Sequence, residues 1–139
     1  MIPQPETSRA KRIGGAMVLG AVFVAFAVTL YPERLNAPAW IAYVAAAVFA
    51  IGGATALARA YGRQSLANVL VCLVLAGMLV IGSWIALGPG ARACVGGVAG
   101  TGVPVSELAC RSAFGVGALV VAGMLVLAVR GLRRRPVPK

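Results

Sequence analysis

Cys94 and Cys110 are the residues of this chain whose type and spacing best suit covalent chemistry. Fifteen residues separate them, within a glycine-rich stretch that runs from Gly88 to Arg111. A redox relay normally uses a closely spaced pair such as C-x-x-C, and this spacing does not fit one. Two cysteines in one loop outside the cytoplasm favour a structural disulfide. The sequence therefore predicts that this loop is closed by a disulfide between Cys94 and Cys110.

Other groups that could carry chemistry are scarce. The chain has no histidine, and its three acidic residues are Glu6, Glu33 and Glu107, which lie far apart in sequence. A metal site needs several convergent ligands, and neither a catalytic triad nor a phosphate-binding loop can be assembled. The sequence therefore predicts no catalytic residue, no metal, no cofactor and no enzymatic activity. The alternative is an enzyme that acts on lipid at the outer face through Glu33, Glu107 and the nearby arginines, and it is disfavoured because the sequence indicates that both carboxylates are exposed and unpaired.

The elements that position these residues are long apolar segments. Sixty per cent of the 139 residues are apolar, twelve per cent are charged and the mean hydropathy is +0.93, values outside the range of soluble globular domains. The uninterrupted runs are long enough to cross a bilayer. The predicted fold is a single all-α membrane domain with four transmembrane helices in an antiparallel bundle, over residues 13–31, 39–58, 66–88 and 112–130. An outer loop covers 89–111, and tails cover 1–12 and 131–139.

Charged side chains are absent from the interior of the four apolar segments, since Arg130 is the last residue of the fourth, although ion-coupled transporters usually carry them there. Apart from Ser112 at the start of the fourth span and the interfacial aromatic residues, the polar residues within the spans are Thr29, Thr55, Asn68 and Ser83. Hydroxyl groups in helices commonly bond back to their own backbone, so the threonines indicate no ion pathway. Cys72, between Val71 and Leu73, is predicted to be a small apolar packing residue. Ser65 and Ser106 are predicted to cap the third and fourth helices.

Basic residues orient the chain. Four spans place both termini on one side, and ten of the thirteen basic residues share that side: Arg9, Lys11, Arg12, Arg59, Arg63, Arg130, Arg133, Arg134, Arg135 and Lys139. The other side holds Arg34, Arg92 and Arg111. The positive-inside rule predicts that both termini lie in the cytoplasm, and the apolar spans predict an integral protein of the plasma membrane, which in a bacterium is the inner membrane. Anionic lipids are expected at the cytoplasmic side, whereas this distribution disfavours nucleic-acid binding.

Small residues and aromatic residues indicate how the helices pack and where they meet the interface. Small residues allow close approach of helices in lipid, and aromatic residues gather at membrane interfaces. The predicted packing residues are Ala42, Ala46, Ala50, Ala54 and Ala58 in the second helix, with Gly82 and Ala86 in the third. The predicted interfacial anchors are Tyr31, Trp40, Tyr43 and Trp84.

These features favour a non-catalytic accessory, assembly or interaction protein. Its outer loop and small-residue helix faces would bind other membrane proteins or a second copy of the chain. The alternative is an oligomeric channel or facilitator for a small neutral solute, because pore width and lining groups can set selectivity without intramembrane charge.

Overall fold

Four long helices dominate the structure, a computed structural model that describes residues 5–34, 38–89, 94–96 and 102–133. They are α1 (Pro5–Leu30), α2 (Ala39–Ala60), α3 (Gln64–Leu87) and α4 (Glu107–Arg133). All four are long and apolar enough to cross a membrane, which confirms this part of the prediction. A short 3-10 turn (Pro32–Arg34) follows α1. Two strands, β1 (Cys94–Gly96) and β2 (Val103–Val105), lie between α3 and α4.

Two helix starts differ from the predictions. α1 begins at Pro5, within the segment predicted to be a tail, because proline is well tolerated in the first helical turn and the following Arg, Ala and Lys residues favour helix. α3 begins at Gln64 after Arg63, without a side-chain cap, so the predicted Ser65 cap is wrong. The preceding turn has Gly62 at φ +74°, a backbone conformation that glycine adopts readily. The Ser106 cap is confirmed, because the Ala109 N–H donates to Ser106 Oγ at 3.3 Å.

Each helix packs mainly on its neighbours in sequence. Gly14, near the start of α1, lies against Gly53 and Leu57, near the end of α2. A Cβ added to Gly53 would lie 2.6 Å from the Gly14 carbonyl oxygen, so the two backbones meet closely at this point. Sequence reasoning missed this contact because it followed repeats along single helices. The Gly14-Gly15 and Gly52-Gly53 pairs were the available signal.

Small side chains are buried and large apolar side chains are exposed, which reverses the usual arrangement in a soluble protein. The buried apolar set among the described residues consists mainly of small side chains, including Ala21, Ala46, Ala58 and Ala67. Large apolar side chains point outward, as at Phe23 with 71% exposure. Such a surface suits contact with lipid, where association depends on close packing rather than on exclusion of water.

The threonine hydroxyls bond back to their own helices, as predicted. Thr29 Oγ1 donates to the Ala25 carbonyl at 2.8 Å, and Thr55 Oγ1 donates to the Ile51 carbonyl at 2.8 Å. These bonds satisfy hydroxyl groups that would be costly to leave unpaired in an apolar medium. The hydroxyls therefore serve a structural purpose within α1 and α2.

Candidate interaction site

Four aromatic residues lie at one end of the helices: Trp40 and Tyr43 on α2, Trp84 on α3, and Tyr31 directly after α1. Trp40 at the start of α2 and Trp84 near the end of α3 make an edge-to-face contact, with ring centroids 5.7 Å apart and an interplanar angle of 86°. Tyr43 Oη lies 3.1 Å from Thr29 Oγ1 on α1, and Tyr31 is about half exposed. The proposed anchors thus lie at one end of the row of neighbouring helices α1 to α4, which we call the helix row. Their role at a membrane interface stays a prediction.

The segment between α3 and α4 contains an antiparallel strand pair that the sequence did not predict. Cys94 pairs with Val105 and Gly96 pairs with Val103. Residues 90–93 and 97–101 of the predicted outer loop, and with them Arg92, lie outside the described residues. The pairing places the first residue of β1 beside the last residue of β2, one residue before the Ser106 cap of α4.

Cys110 lies just beyond this strand pair. It belongs to the first turns of α4, it is 5% exposed, and its N–H donates to the Ser106 carbonyl at 3.0 Å. The chain therefore runs from the β1 partner Val105 to Cys110 through a single capped helical turn. Cys72, in the middle of α3, is a half-buried free thiol.

Glu107 and Arg111 form an ion pair one helical turn apart at the start of α4. Arg111 donates from Nε to Glu107 Oε1 at 2.9 Å and from Nη2 to the same oxygen at 2.8 Å. The Glu107 side chain is 44% exposed, and the Arg111 side chain is 29% exposed. Exposed pairs at this spacing contribute little to stability, although Glu107 also lies favourably at the positive end of the helix dipole.

We expect Glu107→Gln to lower the free energy of unfolding by about 1 kcal/mol or less, because both the solvent-accessible ion pair and the interaction with the helix dipole are weak at an exposed site. Denaturant unfolding in detergent micelles measures the effect, with Glu33→Gln as the control substitution. A loss several times larger would show that Glu107 holds the start of α4 by more than an exposed ion pair.

The opposite end of the helix row is basic. Lys11 Nζ lies 4.6 Å from the centroid of the Tyr61 ring, which joins the start of α1 to the turn after α2. A small cavity of about 170 Å³ lies between the end of α2, the start of α3 and the end of α4. Arg59 and Asn68 supply its polar side chains, and Val71, Ala128 and Leu132 are among its apolar neighbours. We call this the basic-end cavity.

A larger cavity of about 600 Å³ lies halfway along the helices. We call it the central cavity. All four helices contribute to its lining, and every lining residue is apolar or glycine. It is open to the surroundings, since the lining residues Phe49, Met78 and Phe114 are 58%, 50% and 42% exposed. This cavity can hold an apolar ligand, and its lining offers no polar side chain for the recognition of a hydrophilic one.

The predicted small-residue faces fall in several environments. On α2, Ala46 and Ala58 are buried, whereas Ala42, Ala50 and Ala54 are half-buried. On α3, Gly82 faces α4, because a Cβ added there would lie 3.5 Å from the Ala118 Cβ. Ala86 also faces α4, where its Cβ would lie 3.8 Å from a Cβ added to Gly115. The use of these faces in binding another protein stays a prediction.

Across the described residues, no group of three His, Cys, Asp or Glu side chains converges to hold a metal ion. Comparison of the chain with known protein families, with curated proteins and with solved structures gives no significant match.

Proposed function

We propose that this protein is a non-catalytic subunit of the bacterial inner membrane that binds other membrane proteins through its outer loop. The observation that carries the proposal is the β1–β2 pair, a folded non-helical element beside the start of α4. A connection between two helices requires no such element, whereas a recognition surface requires a defined shape. A disulfide between Cys94 and Cys110 would hold this shape.

Two observations support the disulfide. The backbone pairing of Cys94 with Val105 brings β1 to within one residue of the cap of α4, and Cys110 is buried on the turns that follow. Loss of chain entropy in the unfolded state makes such a bridge stabilising. A compartment outside the cytoplasm would provide the oxidising conditions that it needs.

The proposed orientation places both termini in the cytoplasm. Contacts and cavity linings put Lys11 beside Tyr61, and Arg59 beside Leu132, so the basic residues of three helices share one end. Positive charge marks the cytoplasmic side of helical membrane proteins, and it would attract anionic lipids there. The strand pair, at the other end, would then face outward.

Cross-linking tests the recognition role. A photoreactive amino acid at Leu108, which is 78% exposed beside the strand pair, is compared with the same probe at Leu119, which is 75% exposed farther along α4. We expect the Leu108 probe to give discrete adducts with another membrane protein in native membranes, and the Leu119 probe to give mainly lipid adducts. Adducts of the chain with itself alone, under varied growth conditions, would contradict the proposal.

The channel alternative has less support. The central cavity has an entirely apolar lining, and solute pathways need lining groups that replace the hydration shell of the solute. Solute flux through vesicles containing the purified protein would favour the channel over the interaction role.

A further inference from the structure

We propose that the basic-end cavity and the central cavity together form a binding site for one anionic phospholipid. The phosphate would lie at Arg59 and Asn68, and an acyl chain would extend into the central cavity. This inference rests on the helices spanning a bilayer, and not on the recognition role of the outer loop.

The two cavities lie on the same faces of the helices. On α3, Asn68 and Val71 line the basic-end cavity, and Val74, Met78 and Gly82 line the central one. Successive members of this set are three or four residues apart, the spacing of neighbours along one helix face. The set therefore forms a single stripe that passes from one cavity to the other.

The two other helices that line the basic-end cavity, α2 and α4, also carry residues of both cavities on one face. On α4, Ala128 of the basic-end cavity and Val121 of the central cavity are seven residues apart. On α2, the same spacing separates Arg59 and Gly52. Seven residues are close to two helical turns, so each pair lies on one face. Residues on three helices thus align the basic-end cavity with the central cavity.

The length of this stripe suits an acyl chain. Val71 and Gly82 are eleven residues apart, which corresponds to about 16 Å along a helix. One leaflet of the hydrocarbon core is about 15 Å thick, half of the full core, and a lipid tail extends over this depth. A transmembrane helix would need about twice this length of groove. The dimensions therefore favour a lipid tail over a helix from a second protein.

Charge and hydrogen-bonding capacity favour an anionic headgroup. Arginine presents a planar set of donors that matches phosphate oxygens, and the Asn68 amide can donate as well. Arg63, Arg130 and Arg133 add positive charge near the same helix ends. Glu33 and Glu107 belong to the other end of the helix row, and Glu6, in the first turn of α1, is the one acidic residue at the basic end. Basic pockets between transmembrane helices are known binding sites for anionic headgroups.

Lipid retention tests the site. The full-length protein is reconstituted in phosphatidylcholine vesicles with a minor fraction of phosphatidylglycerol, extracted in mild detergent and examined by native mass spectrometry. Wild type should retain phosphatidylglycerol above its share of the vesicle lipid. Arg59→Gln should lower this retention about tenfold, the effect of losing a hydrogen bond to a charged group. Arg12→Gln, an exposed position outside both cavities, is the charge control and should keep the preference.

Filling the central cavity provides a second, independent variant. Gly117 lines this cavity, and a Cβ added there meets no atom within 4 Å. Gly117→Leu should therefore reduce retention of the lipid without a backbone clash. Gly123, on the same helix, also has open space but lies outside the cavity, so Gly123→Leu should behave as wild type. If Gly117→Leu fails to fold, the comparison of Arg59→Gln with Arg12→Gln still tests the lipid site, because both substitutions are at exposed positions.

A photoreactive phenylalanine at Phe114, which lines the central cavity, identifies the occupant. The expected adduct is a phospholipid. An adduct with a second copy or with another protein would overturn the proposal, as would equal phosphatidylglycerol retention by Arg59→Gln and Arg12→Gln. Failure of the Leu108 cross-linking would affect the proposed function alone, because these experiments use the purified chain and lipid.

Discussion

Gly53→Ala is expected to lower the free energy of unfolding by at least about 2 kcal/mol, because the added methyl group overpacks the α1–α2 contact. The new Cβ would lie 2.6 Å from the Gly14 carbonyl oxygen and 2.8 Å from Val18 Cγ2. The carbonyl belongs to a helix backbone and can move away only if α1 shifts as a whole. Unfolding of the purified protein in mixed micelles measures the loss, together with the fraction of properly folded protein recovered from membranes.

Gly20→Ala is the matched control, because Gly20 lies within α1 and its added Cβ would meet no atom within 4 Å. Alanine is the better helix former by about 1 kcal/mol or less, so this variant should be as stable as wild type or slightly more stable. Equal stability of Gly53→Ala and wild type would show that α1 and α2 tolerate a wider separation than the structure describes.

Loss of the proposed Cys94–Cys110 disulfide should have the second large effect. Reduction of the bridge, or a Cys110→Ser substitution, is expected to lower the free energy of opening the outer loop by about 3 kcal/mol, the chain-entropy value for a loop of this size. Because the buried side chain at position 110 packs at the start of α4, the first turn of this helix should also exchange its amide protons faster. Hydrogen exchange resolved along the chain measures both changes.

Labelling with an impermeant maleimide separates the bridge from mere proximity of two thiols. The free thiol of Cys72 is removed by a Cys72→Ala background substitution, which leaves Cys94 and Cys110 as the reactive positions. Intact cells should label only after prior reduction. Ready labelling without reductant would rule out the disulfide, whereas labelling only after permeabilisation would contradict the proposed orientation.

Several local features could be predicted because they depend on nearby residues. The Ser106 cap needs only a hydroxyl three residues before a helical N–H, and the Thr29 and Thr55 hydroxyls need only a carbonyl one turn away on their own helices. Helix starts were less predictable. A helix capped by Ser65 would begin at residue 66. The turn at Gly62 instead lets α3 begin at Gln64.

Contacts between helices could not be predicted in the same way. Within a membrane, a lipid tail and a neighbouring helix are equally apolar, so burial leaves little hydropathy signal on a helix face. The regular alanine spacing of α2 is the visible pattern in the sequence, while a close backbone contact between α1 and α2 is made by Gly14 and Gly53. Trp40 and Trp84 likewise meet only because α2 and α3 lie side by side.

Four long apolar helices, and basic residues near particular helix ends, can be predicted from the amino-acid sequence because hydrophobic length and charge are properties of the local chain. The contents of the space between the helices depend on the tertiary structure. The pairing of Cys94 with Val105 and the alignment of Arg59 and Asn68 with the central cavity depend on the relative positions of segments far apart in sequence. The glycine-rich stretch with its two cysteines contains a strand pair, and its role as a recognition surface stays a proposal.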